Sequence, residues 1–328
     1  MAGQKVGGWI SSKDREEKRM VDSANVTAPK MRYQPRVSLE SAAAHIQSMS
    51  RSAYVDFPSG VTIETYVKCN ARCSFCVYPA LPRIGTRMSS ELFEKIVEDL
   101  REIPKNLDFL FSLSHVNEPF LDNRVFQFTE LVLDRLPGAR PAFVSNGHPV
   151  TEDVIRKLGA LPRFYGLQIS LNDHRPDHYR QTMQLDQARV LARLDRLDEM
   201  IRSGTVSFPV TLTRVGDGTA VDDEFVAWVR ARYPWFTPYV HERGDWVGGV
   251  AAVTAPVPDI GCQFWYSLIV HADGVVAYCC MDGEQKYAIG DANTENVLRI
   301  YNQERLRKQR VAAPSRLTVS PCNRCTMR

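Results

Sequence analysis

Residues 65–79 read T-Y-V-K-C-N-A-R-C-S-F-C-V-Y-P and place Cys69, Cys73 and Cys76 in one short loop behind an apolar run. Three thiolates spaced C-x3-C-x2-C can hold three irons of a 4Fe-4S cube and leave the fourth iron without a protein ligand. Zinc in a structural site takes a closed set of four ligands, and an electron-transfer cluster takes four cysteines. A three-cysteine loop therefore predicts chemistry at an open iron. The competing readings are a zinc loop and three incidental thiols.

Outward from this loop, short β-branched or aromatic runs alternate with amphipathic helical stretches. This is the rhythm of successive βα units and a parallel sheet. The strand runs are 61–67, 107–113, 142–145, 167–171, 206–212 and 236–241, with helices predicted over 91–101, 124–136, 152–158, 186–201 and 222–232. In the first of these, Ser89 or Ser90 caps the N-terminus, and Leu92, Ile96, Val97 and Leu100 share one face. In a parallel barrel, reactive groups gather on the loops after the strands. Those loops carry S-H-V-N-E-P (114–119), Ser145-Asn146-Gly147 and Ile169-Ser170-Leu171-Asn172, with Arg180 ten residues beyond Ser170. A later loop, G-D-W-V-G-G (244–249), suggests a flexible cover over the barrel mouth, whose Trp246 caps a pocket, stacks on a sugar or packs in place.

The cysteine loop with Phe75 before its last thiol, C-x3-C-x-F-C after an apolar strand, resembles the signature of the radical S-adenosylmethionine (radical SAM) superfamily. The resemblance implies a partial (βα)6 TIM-like barrel, which six βα units suit better than a doubly wound sheet; spacing alone does not decide between them. It implies that the methionyl amino and carboxylate groups of SAM chelate the open iron. One-electron reduction then breaks the C5'–S bond, giving methionine and a 5'-deoxyadenosyl radical that abstracts hydrogen from substrate. Phe75 would lie beside the adenine. S-H-V-N-E-P is similar to the family's G-G-E-P segment, which makes Glu118 the acceptor for the SAM ammonium, with Val116 and Asn117 in place of the usual glycines. Ser145 and Asn146 match the T-N-G turn facing the cofactor. Ser170 and Asn172 match the S-L-D segment that reaches the ribose, and Arg180 would meet the SAM carboxylate.

Beyond Pro258 the rhythm changes to a hairpin over 264–270 and 275–279, turning at His271-Ala272-Asp273-Gly274, where Asp-Gly supplies the positive φ. Cys262 precedes it, Cys279 and Cys280 end it, a helix is expected over 296–310, and Cys322-x-x-Cys325 closes the pattern. This stretch resembles the twitch, or shortened SPASM, domain, a small hairpin-plus-helix iron-sulfur unit. The resemblance implies an auxiliary 4Fe-4S cluster on Cys262, Cys279, Cys322 and Cys325, fully ligated and able to carry electrons. A zinc site on the same four thiols is the alternative. Cys280 is left over as a bystander, an alternative ligand to Cys279, or a hydrogen-atom donor to a substrate radical.

The expected domains are a polar arm with one helix near 38–52 (1–58), the barrel (59–258) and the auxiliary domain (259–328). The arm is expected to pack on the outside, and no peptide-binding winged-helix module is read in it. A 44 % hydrophobic chain of 328 residues supports a sizeable core, and a net charge of +3 with interspersed signs gives no case for nucleic-acid or membrane-surface binding. No signal-peptide core or membrane-length apolar run is present, so the chain reads as cytoplasmic, where eight cysteines suggest metal rather than disulfides. The resemblance points to the small-molecule branch: oxidation of a sugar, aminocyclitol or nucleoside with the auxiliary cluster as electron acceptor, and flavodoxin or ferredoxin as electron donor. Redox-neutral epimerisation or decarboxylation, ribosomal-peptide maturation and a non-catalytic metal scaffold are the rival functions.

Overall fold

The computed structural model describes residues 38–251 and 256–327. Residues 1–37 of the expected arm lie outside them. The described part opens with α1 (Leu39–Met49), capped by Ser38, whose hydroxyl accepts from the Ser41 amide. Then come β1 (Gly60–Ile63), α2 (Ser90–Asp99), β2 (Phe109–Ser112), α3 (Val125–Arg135), β3 (Ala139–Ser145), α4 (Glu152–Ala160) and β4 (Gly166–Ser170). These are followed by α5 (Pro176–Met183), α6 (Gln187–Arg202), β5 (Val210–Val215), α7 (Ala220–Arg232) and β6 (Thr237–His241). The remainder comprises β7 (Ser267–Val270), β8 (Val275–Ala277), β9 (Ala288–Asp291), α8 (Val297–Tyr301) and α9 (Glu304–Ala312).

Strands β1 to β6 pair in chain order, all parallel, as the strands of an open barrel, and the first five are each followed by a helix. Every second strand residue meets the helices: Val61 and Ile63, Phe109 and Phe111, Leu167 and Ile169, Val210 and Leu212 are all buried in one core. The opposite strand face remains open, with Leu110 42 % and Val144 41 % exposed. Phe93 of α2 stacks on Phe128 of α3 at a centroid distance of 4.0 Å and closes the core over the first two units. Phe93→Ala is expected to cost about 3–5 kcal/mol, read by urea unfolding; a loss under about 1 kcal/mol would contradict this packing role.

Several features depart from the sequence reading, beginning with a first strand that ends at Ile63 rather than 67 and a third that begins at Ala139 rather than 142. The fifth strand begins at Val210 rather than 206; Val206 and Phe208 still point into the core, but Pro209 supplies no amide to a sheet ladder. α5 is an additional short helix, begun by Pro176 at its first turn. The largest departure concerns the C-terminal hairpin. β7 pairs in parallel with β1, Gly60 opposite Ser267 through Ile63 opposite Val270, so the hairpin continues the barrel sheet to nine strands. Residues 263–266 form a 3-10 turn rather than strand, β9 adds an unexpected third antiparallel strand, and the expected 296–310 helix breaks at Asn302-Gln303 into α8 and α9. The Asp-Gly turn is present, with Gly274 at φ 93°. α1 buries Ile46 and Met49 among Cys262, Trp265 and Tyr266, so the described end of the arm packs on the auxiliary region.

Candidate active site

The loop after β1 is pinned from several sides. The Arg72 and Ser74 amides donate to the Met183 and Thr182 carbonyls of α5, at 3.1 and 2.9 Å, and the Glu118 amide donates to the Lys68 carbonyl at 2.8 Å. Within the loop, the Ala71 amide donates to Cys69 Sγ and the Tyr78 amide to Cys76 Sγ, both at 3.4 Å. Burial pushes the Cys69 thiol up to about 12, against the Ala71 amide, and the nearby Glu118 and Cys76 push the same way. Burial followed by the charges of Cys76 and Cys69 pushes Cys73 up as well, and burial raises Cys76. Three partly buried thiols whose charges disfavour one another ionise together only when a cation shares that charge. The N–H donors already aimed at sulfur are those a thiolate-bound cluster uses, so the site fits an iron-sulfur cluster.

Next to it, Glu118 is 2 % exposed and accepts from Ser145 Oγ at 2.9 Å, the Asn146 amide at 2.7 Å and the Phe120 amide at 3.4 Å. Burial nevertheless pushes its carboxyl up to about 7, against these hydrogen bonds. Asn146 Nδ2 in turn donates to Asn70 Oδ1 at 2.8 Å and stands 3.8 Å from Cys69 Sγ. Gly147 makes the turn possible: its φ is 81°, and a Cβ would lie 2.9 Å from a Val190 methyl.

The structure thus brings Cys69, Cys73, Cys76, Glu118, Ser145 and Asn146 together. Ser170 ends β4, but Asn172 turns inward at φ 64°: its Nδ2 donates to Ser170 Oγ at 2.9 Å and meets Met183 Sδ at 3.0 Å, and its Oδ1 accepts from the Val215 amide at 2.9 Å. It is committed to holding β4, β5 and α5 together, whereas Met183 Sδ reaches Cys73 Sγ at 3.5 Å. Arg180 is exposed on α5. Phe75 packs against the core and receives a hydrogen bond on its carbonyl from Trp246 Nε1 at 2.9 Å, which hooks the Gly-rich loop onto the cysteine loop.

Cys262, Cys279, Cys322 and Cys325 line one small cavity of about 100 Å³ with Trp265, Tyr278 and Arg316. Cys279, not Cys280, turns into it. The Met281 amide donates to Cys279 Sγ and Trp265 Nε1 to Cys322 Sγ, both at 3.4 Å. Burial pushes Cys262 up to about 12, reinforced by Cys279, and the neighbouring Cys280 and burial drive Cys279 well up. A closed set of four thiols around one cavity, Cys262 and Cys322 buried and Cys279 and Cys325 partly so, fits a fully ligated cluster.

Between the two cysteine groups lies a cluster that the sequence reading did not single out: Glu64, Arg83, His115 and His271. Glu64 follows β1, forms a buried ion pair with Arg83 and has His271 Nδ1 3.5 Å away. Its burial would raise the carboxyl, but His271 beside it and the charges of His115 and Arg83 bring it down to about 2. Burial and the neighbouring His271 lower His115 to about 4, which leaves it neutral. The one available signal was the position of His115 inside S-H-V-N-E-P.

An open parallel barrel whose first strand leads into three partly buried thiols, backed by the buried Glu118 carboxylate from the next loop, is a scaffold for a cluster with an open iron. A profile of the radical SAM superfamily matches residues 63–226, and the chain belongs to that superfamily. Residues 262–326 match the SPASM iron-sulfur cluster-binding domain. Its cofactors are accordingly a 4Fe-4S cluster and SAM, with auxiliary iron-sulfur ligation in the SPASM region. Among solved structures, the chain is similar to BtrN in complex with AdoMet and 2-DOIA (16 % identity, 82 % of this chain and 93 % of that one, TM-score 0.53). It is also similar to SuiB of Streptococcus suis bound to the precursor peptide SuiA (12 %, 96 % and 81 %, 0.63) and to anSMEcpe with bound AdoMet (15 %, 81 % and 86 %, 0.58). At these identities the likeness concerns the fold. A search of curated protein sequences found no match. No helix among the described residues is long and apolar enough to cross a membrane.

Proposed function

We propose that this radical SAM enzyme abstracts hydrogen from a polar small molecule and completes a two-electron oxidation, with the auxiliary cluster taking the electron. One observation carries the reading. A cavity of about 580 Å³, lined by His45, Tyr239, His241, Glu242 and Arg316 among others, shares Cys262 as wall with the four-thiol site. Its volume lies within the usual small-ligand range, and its charged and hydroxyl-bearing lining suits a sugar, aminocyclitol or nucleoside. When bound, SAM supplies the radical; the protein binds and orients. Cys69, Cys73 and Cys76 hold the SAM-binding cluster, and Cys262, Cys279, Cys322 and Cys325 hold the auxiliary one. Glu118 accepts hydrogen bonds from the SAM amino group, kept in place by Ser145 Oγ and the Asn146 amide, with Ser170 and Phe75 beside the cofactor. Trp246, tied to the Phe75 carbonyl, closes the mouth.

The substrate class is tested by incubating reconstituted enzyme with SAM, dithionite and carbon-deuterated aminocyclitols, sugars or nucleosides, with deuterated peptides as the rival set. Deuterium in 5'-deoxyadenosine from one of the first three supports the reading; transfer from peptides alone overturns it. Glu118→Gln removes the charged acceptor for the SAM amino group and should weaken SAM binding by about 1.5–3 kcal/mol, roughly ten- to a hundredfold. Unchanged affinity by equilibrium dialysis would reject the role. The carboxyl at about 7 adds a pH signature. Glu118 is neutral below that value and ionised above it, so SAM affinity should rise about tenfold from pH 6 to pH 8. The rise should disappear in Glu118→Gln, and a flat profile in the native enzyme would count against the pairing.

A further inference from the structure

Glu64, His115 and His271 follow β1, β2 and β7, three strands that lie side by side in the sheet. Glu64 and His271 are 0 % exposed, the His115 side chain is 4 % exposed, and one ligand atom from each lies within 4.8 Å of the others. The hydrogen bonds leave three buried ring nitrogens without a partner, His115 Nδ1 and both nitrogens of His271. His115 Nε2 is 2.9 Å from the Cys280 carbonyl, which can only accept, so that nitrogen carries the proton and Nδ1 presents a bare lone pair. Nδ1 has no hydrogen-bond partner and faces Glu64 Oε1, another acceptor, at 3.9 Å. Neither ring nitrogen of the fully buried His271 has a partner within hydrogen-bond geometry. Unpartnered ring nitrogens are costly in a dry interior, and a cation held between the two rings and the carboxylate would use their lone pairs.

We propose that Glu64, His115 Nδ1 and His271 bind one divalent transition-metal ion, a third metal site distinct from both groups of cysteines. Two imidazoles and one carboxylate are a known ligand set for such ions, and the supporting contacts are in place. The Cys280 carbonyl fixes the His115 tautomer from outside, as backbone carbonyls do for metal-bound histidines, and Arg83 occupies the other side of the carboxylate at Oε2 while also donating to the Gly283 carbonyl at 2.9 Å. Metal–nitrogen and metal–oxygen bonds of about 2.0–2.2 Å put neighbouring ligand atoms about 3.4 Å apart in a tetrahedral shell. His115 Nδ1 stands 3.9 Å from Glu64 Oε1, and one ligand atom from each of the three residues lies within 4.8 Å of the others, so side-chain rotations toward a common centre close the shell. Arg83 already neutralises Glu64, so affinity comes from the imidazoles, which selects cobalt, nickel or zinc over calcium or magnesium. The ion would clamp the ends of the first two barrel strands to β7 and, through His115, to the segment that carries Cys279.

The test uses the reconstituted holoenzyme, dialysed anaerobically against Co2+, with cobalt and iron counted on the same sample. The expected result is about one cobalt per chain at unchanged iron, with affinity falling about tenfold to a hundredfold in Glu64→Gln and His271→Gln while their iron is retained. No cobalt on the native enzyme, or equal cobalt on native enzyme and iron-replete variants, overturns the site. If either variant loses iron, His115→Gln replaces it, and the native count alone still decides against the proposal when it is zero.

Discussion

Alanine at Cys69, Cys73 or Cys76 should abolish reductive cleavage of SAM and lower iron from about eight to about four per chain. The loss is complete because the cluster keeps its iron open only while the other three are held. A two-thiol loop in which burial opposes thiolate formation has no replacement ligand; Asn146 and Met183 touch its sulfurs but carry no charge. The remaining iron stays because the second thiol group packs in a separate apolar cluster with Trp265, Tyr266 and Tyr278, on elements that the loop does not support. Iron analysis and chromatographic detection of 5'-deoxyadenosine check both parts. A loop variant that still forms 5'-deoxyadenosine would remove the basis for the assignment.

The second large effect separates two adjacent cysteines. Cys279→Ala should cost about four irons and the net oxidation, while SAM cleavage at the other cluster continues; Cys280→Ala should keep about eight irons and full product formation. The geometry behind this is the direction of each residue. Cys279 Sγ accepts from the Met281 amide inside the four-thiol cavity, whereas Cys280 contributes its carbonyl to His115. Iron counts in the two variants check the ligand. Loss of iron in Cys280→Ala, with retention in Cys279→Ala, would reverse the assignment. Solvent deuterium incorporated into the product, and lost in Cys280→Ala, would instead favour a redox-neutral reaction quenched by that thiol.

Much of this molecule could be read from local pattern. The C-x3-C-x2-C spacing of Cys69, Cys73 and Cys76 suits three irons of a cube, and the alternating βα rhythm follows from the burial of one face of each strand against helices. Both are properties of short sequence windows. The grouping of Glu118 with Ser145 and Asn146 was legible because each ends a strand and neighbouring parallel strands bring their ends together. What escaped was long-range. Nothing in residues 267–270 announces that they pair with 60–63 rather than only with their own hairpin partner, since a parallel pairing leaves no turn signal. Glu64, His115 and His271 come from three distant segments and meet only because β7 lies beside β1. Asn172 matched a ribose-contact position by type, but its left-handed backbone turns the amide into the core, a rotation that composition does not encode.

The central claim is that two groups of cysteines hold two clusters, one of which opens SAM. Anaerobic reconstitution, iron and sulfide counting, and an assay for 5'-deoxyadenosine with dithionite and SAM test it in one preparation. About eight irons and eight sulfides per chain with 5'-deoxyadenosine formed is the predicted result; bound zinc in place of iron, with SAM left intact, would contradict it.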